Sequence, residues 1–451
     1  MRHRAVPVKT NAPWRRAQRG PGPNQMAVAV EPLMDKAARA LGIDRLQIRT
    51  INNPDNKSKW GGARAPISSI YIRAALEQGA AEFNWTEKQK MSGRRRGSKV
   101  VGVGIGQGHH PGGFSGFDGL VSITPDGILH IHSGVGNLGT YSYSSTSRTA
   151  AEVLGYDWSH CVIERGDSRK HLPWNIGQFG SNTSNTMSRT NYVAAMDAVN
   201  KLKEIAAMDL GGKPDDYDIG GEKVFLKSDP GKHLTCAQAA QRAIELGGKF
   251  DGHEMPDDIN PITKAAVEGL KGSALIGVAK DKLQKTGLAA ATAAGFMVIE
   301  LDVETGDFDI LEYHAVVDCG TVVHPKGLDT QIKGGTTMGI GLATLERLVY
   351  DPQNGLPANV GLYQAKPASY LDMPAVMNTA AVGKPDPDNP LGIKGIGEPV
   401  MGCAASALLC AITDAMGGKY YFNRTPVTPD VILNALAGQP QSHKPLQTNT
   451  Q

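Results

Sequence analysis

The chain has 451 residues, 40% hydrophobic and 20% charged, which suits two or three packed domains and excludes wholesale disorder. With 47 Lys and Arg against 44 Asp and Glu, the formal charge of +3 is too small for a surface built to hold nucleic acid. The five cysteines, Cys161, Cys236, Cys319, Cys403 and Cys410, form no CxxC pair, which argues against a disulfide scaffold, a zinc site or an iron–sulfur cluster and for a reducing compartment. No apolar run is long enough to span a membrane, and Arg15-Arg16 leads into AQRGPGP rather than an apolar signal core, so a soluble cytoplasmic protein is expected. Gly is the outlier: 54 Gly beside 27 Pro imply loops of positive φ or backbone held close to a ligand.

Arg2, Arg4, Arg15, Arg16 and Arg19 open the chain, and the later Arg94 to Arg96 cluster reads as a solvated loop or a subunit rim. The Gly/Pro loop Ala17 to Pro23 leads into NQMAVAVEPLMDKAARAL, Asn24 to Leu41, whose apolar spacing predicts a helix capped by Gly42. Such a loop either seats an anion or only redirects the chain.

From about Lys99 to Leu210 a second unit follows. VSIT and ILHIHSG bracket Pro125-Asp126-Gly127 as a hairpin, a helix covers Thr146 to Leu154, and CVIERGD reads as a strand. The polar loop Gly177 to Thr186 then enters a long helix, where small hydroxyl and amide groups serve either as N-caps or as donors to a phosphate or pterin. Between about 212 and 272 the sequence is charged and broken, apart from a helix at Cys236 to Leu246, and reads as a peripheral insertion. The last unit opens with a hairpin over Ala294 to Gly320 and continues into a Gly-rich helix, Gly334 to Tyr350. The polar tail 438–451 reads as disordered. Both units share one plan, a hairpin followed by a Gly-rich loop and helix. The expected fold is therefore α+β, with two pseudo-repeated units facing each other across a cleft.

The 12 His supply no helical His-x-x-x-His pair. His130 and His132 alternate along one strand and read as sheet or pocket surface, so no metal-ligating side chain is expected. The most informative stretch is GIKGIGEP, Gly392 to Pro399, whose glycines present Glu398 at the entrance of the apolar helix AASALLCAITDAM. On its own, that carboxylate could be only a helix cap or dipole partner.

GIKGIGEP resembles the GxKGxGEP pattern that carries the glutamate base in molybdenum hydroxylases of the xanthine oxidase and aldehyde oxidoreductase type. The resemblance runs from about Thr10 to Met416. TNAPWRRAQRGPG resembles the loop that brings Arg19 to the cofactor, and GVGNLG with AAEVLG resembles a cofactor-binding loop and helix that includes Gly139 and Thr140. GDS and PWNIGQFGS resemble the segment that sets Gly180 and Ser181 beside the cofactor, and DCGTVVHPKGLDTQIKGG resembles the DCGxxxNP to GQxxGG stretch. Three departures stand out: Thr140 and Met338 occupy positions where the family usually or often has Gln, and residues 182–188 read as an insertion that lengthens the Ser loop.

The resemblance implies a molybdenum-hydroxylase large-subunit fold and an oxidoreductase whose base is Glu398. It implies cofactor contacts from Arg19, Gly139, Thr140, Gly180, Ser181, Met338 and Gly397. The cofactor would be molybdenum-molybdopterin, as plain pterin or cytosine dinucleotide, with no protein ligand to the metal. An electron-poor carbon of an aldehyde or N-heterocycle would be hydroxylated with water as oxygen source, and electrons would leave through 2Fe-2S and FAD partner subunits. Gly20 stands where the carbon monoxide dehydrogenase branch has Cys, which argues against that branch. The family's earlier Phe-Gly-Gly loop segment has no counterpart here, so either another polypeptide supplies that half or the chain is a fragment; a separate N-terminal chain in a dimer of heteromers is the expectation. The implied division is 1–90, closing a first cofactor-binding domain; 91–211 and 294–437, forming a second; 212–293, an insertion and linker; and 438–451, the tail. Two rival expectations are reduction or hydration of an activated ring at the same centre, and a non-catalytic scaffold.

Overall fold

The computed structural model describes residues 16–351, 353–422 and 424–439; Arg2, Arg4 and Arg15 lie outside these residues, as does the expected disordered tail from 440 onward. The elements that build the site are, in chain order, α1 (Pro23–Leu41), α2 (Arg45–Asn52), β1 (Lys99–Pro111), β2 (Asp118–Ile123), β3 (Leu129–His132), α3 (Ser142–Leu154), β4 (Cys161–Glu164), α4 (Thr183–Leu210) and β5 (Leu275–Lys280). They continue with β6 (Leu288–Asp302), β7 (Phe308–Asp318), α5 (Pro325–Ile340), β8 (Val376–Ala381) and α6 (Pro399–Ala415).

The repeat expected from sequence is present in the pairing. β2 and β3 form an antiparallel hairpin, β4 returns parallel to β3 after α3, and β5 adds antiparallel to β2. The second unit copies every sense: β6 and β7 are antiparallel, β8 returns parallel to β7 after α5, and β1 adds antiparallel to β6 from Ala290 opposite Pro111 to Asp302 opposite Lys99. Of the four strands that repeat in each unit, one is borrowed from the segment leading to the other unit, since β1 runs on into β2 and β5 into β6; the second sheet has seven strands in all. Pairing and connectivity thus lock the two units together, with α4 and α6 in equivalent positions.

β1 carries Gly at 102, 104, 106 and 108, all on one face because alternate strand residues point the same way. That bare face lies against α6, which is buried at every position. A Cβ on Gly104 would sit 2.1 Å from the Ala407 carbonyl oxygen, and one on Gly108 would sit 1.9 Å from that of Pro399. Two strand residues advance about 6.7 Å and one helical turn about 5.4 Å, so successive glycines meet successive turns. On its other side, α6 meets Gly335 and Gly339 of α5, which makes close packing the reason for that helix's glycine content. A buried ion network holds α1 and α2 to the same helix: Arg49 reaches Glu31 and Asp35 at 2.7 Å each, and Arg45 reaches Asp414 at 3.1 Å.

Three expectations need correcting. The Gly-rich helix runs over 325–340 rather than 334–350. Pro325 sits at its first position, and the His324 ring nitrogen accepts from the Gly327 amide at 2.8 Å, while a π-turn at Gly341–Leu345 ends it. Residues 183–188 do not lengthen a loop; they are buried opening turns of α4. The stretch 212–293 is more than an insertion, because it contains β5, whose buried Leu275 and Ile276 complete the first sheet, and the opening of β6.

Candidate functional site

Between the units, where α4 and α6 begin, lies a cleft of about 720 Å³ lined from both units and from residues 17–21 ahead of α1. Glu398 stands in its wall at 8% exposure. Although Glu398 occupies the N-cap position of α6, its side chain makes no capping bond. Instead the Ser181 hydroxyl donates to Oε2 of Glu398 and accepts from the Glu398 amide at 2.8 Å. No side chain among the described residues donates to the other carboxylate oxygen, which leaves it available to a ligand.

The glycine turn makes this meeting sterically possible. A Cβ on Gly395 would lie 1.6 Å from the Ser181 carbonyl oxygen, so only glycine allows the two loops to approach. Opposite it, Gly180 and Ser181 both have positive φ, 63° and 51°. For Ser181 that region costs roughly 1–2 kcal/mol, which the surrounding contacts must offset. The turn is anchored from behind by Lys394, fully buried, whose ammonium donates to Asp318 at 2.7 Å and to the Ala290 carbonyl at 2.9 Å. Burial raises the Asp318 carboxyl above its usual range although Lys394 and the Tyr71 amide pull it down.

Arg19 completes the wall. Its guanidinium donates to the Gly397 carbonyl, to the Gln331 carbonyl at 2.9 Å and to the Gln331 side chain at 3.3 Å, and it touches the Met338 sulfur at 3.7 Å. Burial lowers its pKa, partly opposed by attraction to Glu398. Asn24, the second residue of α1, fixes the backbone there: it donates to the Arg19 carbonyl at 2.7 Å and accepts from the Gly402 amide at 2.9 Å. Across the cleft, the Gln178 amide donates to the hydroxyls of Thr140 and Ser142 at 2.6 and 2.7 Å and accepts from the Leu138 amide at 2.6 Å.

Of the sequence-expected residues, Arg19, Thr140, Gly180, Ser181, Met338, Gly397 and Glu398 all line this one cleft. Gly139, exposed with φ 89°, flanks the lining residues Leu138 and Thr140 at the rim. Sequence reasoning missed Asn24, Gln178, Gln331 and the Lys394–Asp318 pair. Gln178 lies inside the quoted PWNIGQFGS stretch, but nothing there reveals that its amide reaches a loop 38 residues earlier. His132, one of the two strand histidines, is buried with its ring on the Ser122 hydroxyl at 3.0 Å, and burial lowers its pKa to about 4.

The donor set suits a polar, phosphate-bearing heterocycle, offering hydroxyls, amides and a guanidinium around a half-open cleft. One buried polar atom of the lining, the Asn182 side-chain oxygen, has no hydrogen-bond partner and would be satisfied by a ligand N–H.

Comparison with known proteins agrees with this geometry. A family model described as molybdopterin cofactor-binding domain matches residues 78–374, and a second of the same description matches residues 1–53. The chain is 25% identical over 446 residues to the aldehyde oxidoreductase molybdenum-binding subunit PaoC of Escherichia coli O157:H7, covering 96% of this chain and 54% of that one. It is 26% identical over 434 residues to the xanthine dehydrogenase molybdenum-binding subunit of the same organism, covering 93% and 53%. The crystal structure of quinoline 2-oxidoreductase from Pseudomonas putida 86 shares the fold with a TM-score of 0.74 at 23% identity, covering 92% of this chain and 52% of that one. The chain thus spans about half the length of the relatives it matches.

Proposed function

Because the chain belongs to the molybdopterin cofactor-binding domain family, we propose that it is the part of a molybdenum hydroxylase that holds the catalytic base, Glu398, against the pterin-bound metal. The observation that carries this reading is the Ser181–Glu398 contact inside a cleft where Arg19 is pinned to the Gly397 carbonyl. Arg19, Thr140, Ser142, Gln178 and the Gly180–Asn182 turn would hold the cofactor. Bound there, the molybdenum pterin supplies two-electron oxidation with water as the oxygen source.

The chain's own residues supply position and proton transfer. Ser181 fixes one carboxylate oxygen of Glu398, so the other is free to take a proton from the reacting oxygen donor. Arg19 makes no hydrogen bond to Glu398, because its donors are committed to Gly397, Gln331 and Met338; it shapes the wall beside the carboxylate. With cofactor and substrate filling the cleft, bulk water would be kept from Glu398, which is only 8% exposed.

In this reading the substrate is an aldehyde, N-heterocycle or aromatic with an electron-poor carbon. Electrons pass to 2Fe-2S and FAD subunits, and the remaining part of the large-subunit fold is a separate polypeptide in a dimer of heteromers. Residues 1–90 close a first cofactor-binding domain, while 91–211 and 294–437 form the second around 212–293. Release of cytidine monophosphate on mild hydrolysis distinguishes the cytosine dinucleotide from the plain pterin.

Glu398→Gln is the test. It should retain molybdenum and lose turnover by about 10²–10⁴-fold, the usual worth of a general base; wild-type rates would remove Glu398 from the reaction. Product formed in ¹⁸O-labelled water carries label if the complex hydroxylates and lacks it if the complex reduces its substrate. Molybdenum well below one per complex would favour a scaffold, a role supported only by the Thr140 and Met338 departures.

A further inference from the structure

Residues 356–371, between α5 and β8, carry Leu356, Val360, Leu362, Tyr363, Tyr370 and Leu371 at 63% to 92% exposure. Exposed large hydrophobics elsewhere are spread singly or in small groups, whereas six within 16 residues mark a contact surface. The segment has a defined shape. Asn359 accepts from the Val349 amide at 2.9 Å and donates to the Arg347 carbonyl, and the Ala358 amide bonds the Val349 carbonyl at 2.8 Å. At the far end the Ser369 amide and hydroxyl both donate to the Asp372 carboxylate, at 2.7 Å each. Ordering a backbone costs conformational freedom that buried apolar area normally offsets, and here the apolar tips face outward.

Its charge pattern also suits burial. Lys366 is the one charged residue within 356–371, and it is matched by Asp372 at 3.6 Å. A partner covering this face would therefore have no isolated charge to desolvate. Just past the far end of the segment, the Met373 sulfur accepts from the Thr337 hydroxyl of α5 at 3.1 Å, beside the cleft-lining Met338, which brings that end toward the site.

We infer that residues 356–371 dock the polypeptide that carries the part of the family fold this chain does not span, and that this apolar face aligns that polypeptide over the cleft. The inference rests on the proposed reading that the missing part is a separate chain. The share of relatives left unmatched, nearly half of each, is large enough to bury such a face, and two parts that share one cofactor must adjoin at the cleft.

The test places photo-crosslinking p-benzoylphenylalanine at position 363 or 370 in the complex as purified, and identifies the joined peptides by mass spectrometry. Peptides from a separate polypeptide that matches the unspanned part of the relatives are expected. Crosslinks between two copies of this chain, to a flavin or iron–sulfur polypeptide, or none from either position would overturn the assignment. Crosslinks to a continuation of this same chain would refute the separate-polypeptide reading while upholding the docking face, and the molybdenum content of the same sample tests the cofactor reading independently. Combined Leu362→Asp, Tyr363→Asp and Leu371→Asp alters only side chains already in water, so thermal unfolding of this chain should not change. Recovery of the partner polypeptide should fall at least about tenfold; undiminished recovery would also overturn the inference.

Discussion

Ser181 and Glu398 meet as equivalents: Ser181 opens onto α4 of the first unit, Glu398 onto α6 of the second, and one hydroxyl both donates to the carboxylate and accepts from its amide. The Glu398 carboxylate is therefore oriented by the opposite copy of the repeat rather than by its own loop. Ser181→Ala should leave the carboxylate in place but free to rotate, lowering kcat by about ten- to a hundredfold with a smaller change in KM. Steady-state kinetics with molybdenum content held equal checks this, and an unchanged kcat would mean that Glu398 is held by something else.

The glycine face of β1 sets how closely α6 can lie. Gly104→Ala would push a methyl to 2.1 Å from the Ala407 carbonyl oxygen and should destabilise by about 3 kcal/mol, at the upper end of overpacking costs. Gly62→Ala, with open space around the new methyl, is the control. Urea unfolding that gave the two variants equal midpoints would contradict the packing described.

Lys394→Met should cost about 3–5 kcal/mol, because it strands the Asp318 carboxylate in a fully buried site. Adding Asp318→Asn should recover much of that loss, since the uncompensated charge is gone. If the double variant is as unstable as the single one, the cost arises from lost packing and not from charge burial.

His132 predicts an acid-side loss of stability. Burial holds its folded pKa at about 4, opposed by the His171 backbone and by Glu164 and reinforced by the charge of His130, while the unfolded value is 6.5. Below 6.5 the unfolded chain takes up a proton that the folded chain refuses, so stability is full above 6.5 and declines as pH falls toward 4. The integrated loss is about 3 kcal/mol. His132→Gln should flatten the difference in melting temperature across that window; a variant with the same slope as the parent would place the titration elsewhere.

The sequence's legibility followed the range of the interactions involved. The hairpin at Pro125–Gly127 and the capped helix ending at Gly42 rest on neighbours in the chain, and both are where their turn residues put them. The Gly-rich interior of α5 suggests a start at Gly334, yet His324 and Pro325 begin the helix nine residues earlier. Residues 182–188 are mostly small and polar and read as loop, yet tertiary packing makes Thr183–Ser188 the opening turns of a helix.

By themselves the residues from Gly392 to Pro399, together with the Arg19 and Ser181 segments in order along the chain, determined the family and most of the residues that line the cleft, because backbone turns and the polar groups beside them are written in local patterns. Only the tertiary structure decided that Ser181 holds the carboxylate, that Gln178 bridges to Thr140, that Asn24 fixes Arg19 and that Lys394 anchors the turn from behind. Each of those contacts except Asn24's hold on Arg19 joins groups tens or hundreds of residues apart. Their distances depend on how two sheets exchange strands and how closely a glycine face admits a helix, and no local pattern encodes either.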